Sequence, residues 1–291
     1  MLAQAVILVH TRPMNRLPLA RRAQILSMLA EGNSLRATAR MADASFNTVV
    51  KLLLDVAEKC EQYQDEHVHG IKAKRVQVDE AWAFIYAKQK NVPEEHKGEL
   101  GYGDVWTWVA LDADSKLAIS WAVGRRDGFT ANAFMLDVAD RLATRVQLTS
   151  DGHKPYLEAV EGAFGNNIDY AMLVKTYEGD SGKSAPAQQR YSPGICTGAR
   201  KVKITGNPDP AHINTAFAER QNLTMRMSMR RFTRLTNAFS KKLDNHKAAV
   251  ALYFMWYNFA RIHQTLRVTP AMEAGISDHV WSAEEIARLA D

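Results

Sequence analysis

The chain has 291 residues, 46% hydrophobic and 24% charged, enough for one large domain or two ordinary ones around a sizeable core. That mix excludes disordered, collagen-like and coiled-coil chains, and two cysteines, Cys60 and Cys196, exclude a disulfide framework or a four-cysteine zinc site. The net charge of +5 is unevenly spread: Arg200–Lys247 holds eleven Lys/Arg against three acids (+8), Arg12–Arg40 holds six arginines and one acid (+5), and the remainder sums to −8. Two basic blocks on an acidic body predict two surfaces facing one polyanion, although each block could also be a solvated helix face.

Met1–Val9 is apolar but has no basic lead-in, which makes it a poor signal peptide, and Met14 opens a second candidate start. The longest apolar run, Ala248–Ala260, falls short of the roughly 20 residues of a membrane span. With so few cysteines, these features predict a cytoplasmic protein that binds no membrane.

Leu19, Ile25, Leu26 and Leu29 have helical spacing, stopped by Glu31-Gly32-Asn33. Ser34 can cap a second helix, Asp43-Ala44-Ser45 makes a break, and Asn47–Glu58 resumes as a third helix carrying Val49, Val50, Leu53 and Val56. This is the helix-turn-helix plan, which any three short helices can also imitate; it assigns residues 14–66 to DNA binding and points Asn47, Thr48 and Lys51 at the major groove.

From Lys74 the period changes. Arg75–Tyr86, Asp104–Leu111 and Lys116–Val123 read as three antiparallel strands, the last two joined by the turn Asp112-Ala113-Asp114-Ser115. A helix over Phe129–Ala143, a short strand over Val146–Thr149, a helix over Lys154–Phe164 and a strand over Ile168–Val174 follow. Residues 177–210, rich in Gly, Pro, Ser and Lys, read as irregular. Ala211–Asn237 reads as mostly helical, Lys247–Ile262 as a helix apolar nearly all round, and residues 276–291 as a C-terminal helix. The expected fold class is an α/β mixed sheet.

Three acids stand out by position. Asp79 lies within the first strand, Asp151 follows the fourth strand at the sheet edge where α/β proteins bind ligands, and Glu219 lies on the late helix in the most basic stretch. At about 100° per residue, Glu219, Asn222, Arg226 and Arg230 share one helix face, while Phe217, Met225, Phe232 and Leu235 would pack on the sheet. A carboxylate in an arginine stripe could equally be salt-bridged. Glu80 points to the opposite strand face from Asp79, which argues against shared ligation. Trp106, Trp108 and Trp121 read as core rather than base-stacking residues.

Val78-Asp79-Glu80-Ala81-Trp82, Thr149-Ser150-Asp151-Gly152 and Ala218-Glu219-Arg220-Gln221-Asn222 resemble the three acidic motifs of the DDE transposases, most closely the insertion-sequence-1 family. The resemblance extends over residues 74–275 and includes Gly124-Arg125-Arg126, Arg231–Lys241, and Trp256–His263 ahead of Thr269-Pro270. It implies a ribonuclease-H-like catalytic domain in which Asp79, Asp151 and Glu219 bind metal; the basic stretch around Glu219 adds Arg220, Arg226, Arg230, Arg231 and Arg234 as a candidate DNA surface, with His153, Asn222 and His263 as accessory candidates. The cysteine zinc ribbon that many members carry ahead of the helix-turn-helix has no counterpart here.

Phosphodiester cleavage needs an activated water or 3′-hydroxyl and a stabilised leaving oxyanion, which two Mg²⁺ ions about 3.5–4 Å apart supply, and carboxylates are suitable hard ligands. The resemblance thus implies two Mg²⁺, replaceable by Mn²⁺, with Asp79 as the bridging acid. It further implies DNA partners (terminal inverted repeats and target DNA), a homo-oligomer assembled on DNA, and a place at the nucleoid of a prokaryote. The alternatives are a nuclease of the same fold that cuts without joining, and a non-catalytic helix-turn-helix regulator.

Overall fold

The computed structural model describes residues 16–177, 196–233 and 236–291. It begins with three helices: α1 (Leu19–Ala30), α2 (Leu35–Met41) and α3 (Phe46–His67). Their breaks have local causes. The Ser34 side chain accepts from the Ala37 amide and the Ser45 side chain from the Thr48 amide, capping α2 and α3, while Asp43 turns the chain with a φ of 42°. Helix α3 runs well past Glu58 because its buried face continues through Cys60 and Gln64.

A six-stranded sheet follows, with strands β1 (Arg75–Ile85), β2 (Gly103–Asp112), β3 (Ala118–Gly124), β4 (Gln147–Asp151), β5 (Asp169–Tyr177) and β6 (Cys196–Thr205) in the spatial order β3-β2-β1-β4-β5-β6. The first three form an antiparallel meander, and β4 and β5 run parallel to β1. Helices α4 (Gly128–Arg141) and α5 (Pro155–Phe164) provide the crossovers. This is the expected mixed α/β architecture with a ribonuclease-H-like sheet. β6 corrects the expectation of an irregular stretch, since residues 196–205 pair antiparallel with β5. The strand is half-exposed or exposed along its whole length and carries Arg200, Lys201 and Lys203 at the sheet edge, so no alternation of apolar residues marks it in the sequence.

The late helix is shorter than expected. α6 (Ala216–Ser228) ends where Met229 becomes extended, and a single 3₁₀ turn at Arg230–Phe232 follows. α7 (Leu243–Met255) begins earlier than expected and passes into a π-helical turn at Trp256–Ala260. The short helices α8 (Pro270–Glu273) and α9 (Ala283–Arg288) close the chain.

Strand alternation divides the core. Val76 and Val78 belong to the cluster that includes Phe134 of α4 and Tyr156 of α5, whereas Ala81, Ala83 and Ile85 belong to the cluster with Met225 of α6 and Phe254 of α7. Helix α7 lies between that sheet face and α3, which explains why it is apolar nearly all round. The N-terminal helices share the first cluster: Leu26 and Val56 are in it with Leu252 and Met255 of α7. Arg22 ties α1 to the C-terminal end, donating from Nη1 to the Ala287 carbonyl at 2.9 Å and pairing with Asp291 at 2.7 Å. Trp108 is fully buried and Trp121 stacks on Phe254 with ring centroids 5.7 Å apart. No helix among the described residues is long and apolar enough to cross a membrane.

Candidate active site

β1 and β4 pair only over Arg75–Gln77 and Gln147–Thr149, and beyond that point the two strands form a fork. Asp79, on β1, and Asp151, the last residue of β4, stand in this fork at the C-terminal edge of the parallel strands. Each Asp79, Glu80 and Asp151 offers an oxygen within 4.8 Å of the others.

Glu80 corrects the expectation drawn from strand alternation. Its side chain does leave β1 on the face opposite Asp79, toward Tyr156, but its carboxylate still joins the group because the fork leaves Asp151 accessible from both faces. Arg126, just after β3, completes the junction. Its Nε donates to Glu80 Oε2 at 3.1 Å and its Nη2 to Asp151 Oδ2 at 3.2 Å, while its guanidinium lies 4.9 Å from the centre of the Trp106 ring. Arg126 was missed as a site residue; β3 runs parallel to β1, so the Gly124-Arg125-Arg126 motif leaves the sheet at the same edge as Asp151.

Glu219 stands in the first turn of α6, half-exposed, held by the Thr215 hydroxyl and the Lys175 ammonium. It lies outside the tight carboxylate group but near enough for its charge to raise the Asp79 pKa. Asn222, one turn further along, is buried, and its Nδ2 donates to Asp79 Oδ2 at 2.8 Å. Helix α6 is itself positioned by β1, as Gln77 Oε1 accepts from the Phe217 amide at 2.8 Å and the Ala218 amide at 3.2 Å.

Crowding of like charges out of water shapes the titration. Burial first, then the Asp151 charge, pushes Asp79 up to about 6 against the opposing hydrogen bond from Asn222. The same two causes push Glu80 up to about 7, against the Tyr156 hydroxyl and Arg126. Burial and then Arg126 hold His153 below its ordinary value. His153 is not an exposed loop residue: its amide donates to Asp151 Oδ1 at 2.9 Å, and its ring packs beside Trp108 and Tyr156. The donor set suits a hard divalent cation. Three carboxylates converge beside Arg126, burial and then their mutual repulsion raise Asp79 and Glu80, and Glu80 Oε1 is buried without a hydrogen-bond partner.

The remaining predicted residues fall elsewhere. Asn47 and Lys51 are exposed on the first turns of α3, while the Thr48 hydroxyl bonds to Ser45 Oγ at 2.8 Å. Arg220 and His263 line a separate pocket on the other side of α6. Phe217, expected to pack on the sheet, is 38% exposed there, beneath Lys116. Arg226 is half-buried, and Arg230 is exposed on the 3₁₀ turn rather than on a continuing helical stripe. Arg231 is drawn into the fold, donating to the Ser240 hydroxyl and the Asn245 carbonyl, and burial lowers it to about 10. Arg234 and Leu235 lie outside the described residues. The two basic blocks meet at a cleft of about 570 Å³ lined by Arg36, Arg40, Arg230, Lys241 and Lys242, with no carboxylate among its lining residues.

No protein-family model and no curated protein matches the sequence. Among solved structures, the chain is similar to the Mos1 strand transfer complex (14% identity, TM-score 0.24) over 55% of this chain and 59% of that one. It is similar to the Mos1 transposase paired-end complex with the left transposon end (13%, 0.23) over 55% and 60%. It is also similar to the piggyBac transposase synaptic complex with hairpin DNA (12%, 0.37) over 94% of this chain and 69% of that one. The chain thus spans about six-tenths of the Mos1 chains it matches.

Proposed function

We propose that the protein is a DNA transposase of the insertion-sequence-1 type, cutting at element ends and joining the freed 3′-hydroxyls to target DNA. The observation that carries this reading is the meeting of Asp79 and Asp151 in the β1–β4 fork, with Glu219 beside them on α6. Asp79, Asp151 and Glu219 would hold divalent metal, Mg²⁺ or Mn²⁺, which when bound activates the attacking oxygen and stabilises the leaving one. The chain's own residues set the stage. Asn222 fixes the Asp79 carboxylate, Arg126 aligns Asp151, and Lys175 balances Glu219.

The basic cleft supplies the phosphate-binding surface, with Arg230 on its rim and the exposed Asn47 and Lys51 on α3 reading bases. Residues 14–66 serve end recognition, residues 74–275 the chemistry, and the protein works as a homo-oligomer on DNA. The test is incubation with labelled end-sequence DNA and Mg²⁺. Nicks and strand-transfer products are expected from the native chain, and neither from Asp79→Asn or Asp151→Asn, both of which still bind DNA. Nicks without joined products would reduce the protein to a nuclease.

A further inference from the structure

On the side of α6 away from Asp79 lies a second pocket, of about 370 Å³, that the metal-site chemistry does not use. Arg220 and Asn222 are two residues apart, about 200° around the helix, so while Asn222 reaches Asp79, Arg220 faces this pocket. Lys116 from the β2–β3 turn, and Arg261 and His263 from the segment after α7, converge with it. No aspartate or glutamate lines the pocket; the partners of its cations are neutral, with Arg261 Nη1 donating to Ser228 Oγ at 3.0 Å and Lys116 donating to the Ala113 carbonyl above the Phe217 ring. Hydroxyls are at hand: Thr224 and Thr265 also line it, and Thr265 Oγ1 lies 2.9 Å from His263 Nδ1.

The pocket's positive charge is felt at His263. His263 is held below its ordinary value by burial, then by Lys116 and Arg261. Lys116 is lowered by burial and by Arg75, against the opposing pull of Asp114 and Asp112. Positive charge gathered without a carboxylate in the lining is relieved by an anion, and two guanidiniums with neighbouring hydroxyls offer more donors than the two oxygens of a carboxylate can use, which suits a tetrahedral oxyanion.

We infer that this pocket binds a phosphate group, as a monoester or a diester, at a site separate from the acidic cluster. The inference deepens the DNA-processing reading and rests on it only for the view that DNA supplies the phosphate. The probes are inorganic phosphate, titrated calorimetrically at constant ionic strength, and a 20-base-pair duplex, titrated against salt. The variants are Arg220→Ala/Arg261→Ala and the single charge reversal Arg220→Glu, at an exposed side chain.

Saturable phosphate binding by the native chain, weakened at least tenfold in both variants, supports the site. A fall in the duplex salt slope of about two units in the double variant, at roughly 0.9 per lost contact, identifies DNA as the source. An unchanged slope with lost phosphate binding identifies a free phosphate compound instead. Equal response to acetate, or phosphate binding and a salt slope that both variants leave unchanged, overturns the inference. Cleavage by the acidic site enters none of these measurements, so failure here and failure of the transposase reading remain distinct.

Discussion

The Asn222 amide donates to Asp79 Oδ2 at 2.8 Å, joining α6 to the middle of β1 at a carboxylate that both burial and a neighbouring acid push toward neutrality. Asn222 Oδ1 is buried without a partner, so the amide is oriented by this donation rather than by a wider network. Asn222→Ala should therefore raise Asp79 above about 6 and weaken Mn²⁺ binding by about 10- to 100-fold, the usual effect of losing a hydrogen bond to a ligand. Calorimetric titration with Mn²⁺ checks it. Unchanged affinity would leave Asn222 as a packing residue.

Glu80 and Glu219 compete for the third place in the site. Glu80 lies in the tight carboxylate group but is committed to Arg126, while Glu219 lies farther out and is committed to Lys175 and Thr215. The proposed function requires Glu219→Gln to abolish cleavage and joining. Glu80→Gln should lower the rate only about tenfold, by loosening Arg126 from its position beside Asp151. The opposite ranking in a cleavage assay would move the third ligand onto β1.

The raised carboxyls set how stability varies with pH. Asp79 titrates near about 6 and Glu80 near about 7 when folded, against ordinary values of 3.8 and 4.5. Across that window the folded chain binds protons that the unfolded chain has released, so these groups stabilise the fold least at high pH. His246 acts oppositely: burial lowers it to about 3, and its contribution grows as pH rises toward 6.5. His153 and His263, also held low mainly by burial, act with it, while Glu61, raised mainly by burial, sides with the acids. The Asp79 contribution is isolated by comparison: the melting temperature of the metal-free native protein, relative to that of Asp79→Asn, should fall from pH 4 to pH 6. Mg²⁺ should flatten this relative decline by occupying the ionised carboxylates. A difference between the two proteins that stays constant or grows over this range would contradict the account.

Much of this was legible in the sequence, and the gaps have physical causes. The meander, the parallel strands and the strand-end position of Asp151 follow from apolar alternation broken by turn residues, a local pattern. β6 was hidden because an exposed edge strand buries no face. The end of α6 was hidden because Ser228-Met229-Arg230 contains neither glycine nor proline; the chain turns there to bury Met229 and Phe232. Glu80 was set aside by strand alternation, a rule that holds along a paired ladder but not where β1 and β4 separate. The pairing of Arg126 with Asp151 joins residues on different strands, which spacing along the chain does not reveal.

End recognition is best tested by point variants. Deleting residues 1–66 would strip α3 from α7 and expose part of the shared core, so a loss of selectivity would be confounded with unfolding. Asn47→Ala with Lys51→Ala touches only exposed side chains and should reduce preference for end sequences by about 1–3 kcal/mol per lost base contact, with the melting temperature unchanged. Equal preference in a competition binding assay would place base readout elsewhere.

Arg226 and Arg230, expected on one helical stripe, occupy different environments, and this separates their contributions. Arg230 is exposed on the rim of the basic cleft, opposite Arg36 and Arg40 of α2, so a phosphate can reach it without disturbing the fold. Arg226 is half-buried and makes contacts within the protein, and its carbonyl accepts from Thr233 Oγ1 at 3.4 Å. Arg230→Ala should weaken binding to all DNA sequences alike and lower the steepness of the salt dependence by roughly 0.9, the value for one lost phosphate contact on duplex DNA, while the melting temperature stays put. Arg226→Ala should lower the melting temperature, because its replacement removes contacts made inside the fold. It should lower the salt slope only if the same guanidinium also reaches phosphate. One salt titration and one melt on each variant decide the matter. A slope that Arg230→Ala leaves unchanged would remove the cleft from the DNA surface while leaving the metal-binding proposal for Asp79, Asp151 and Glu219 untouched.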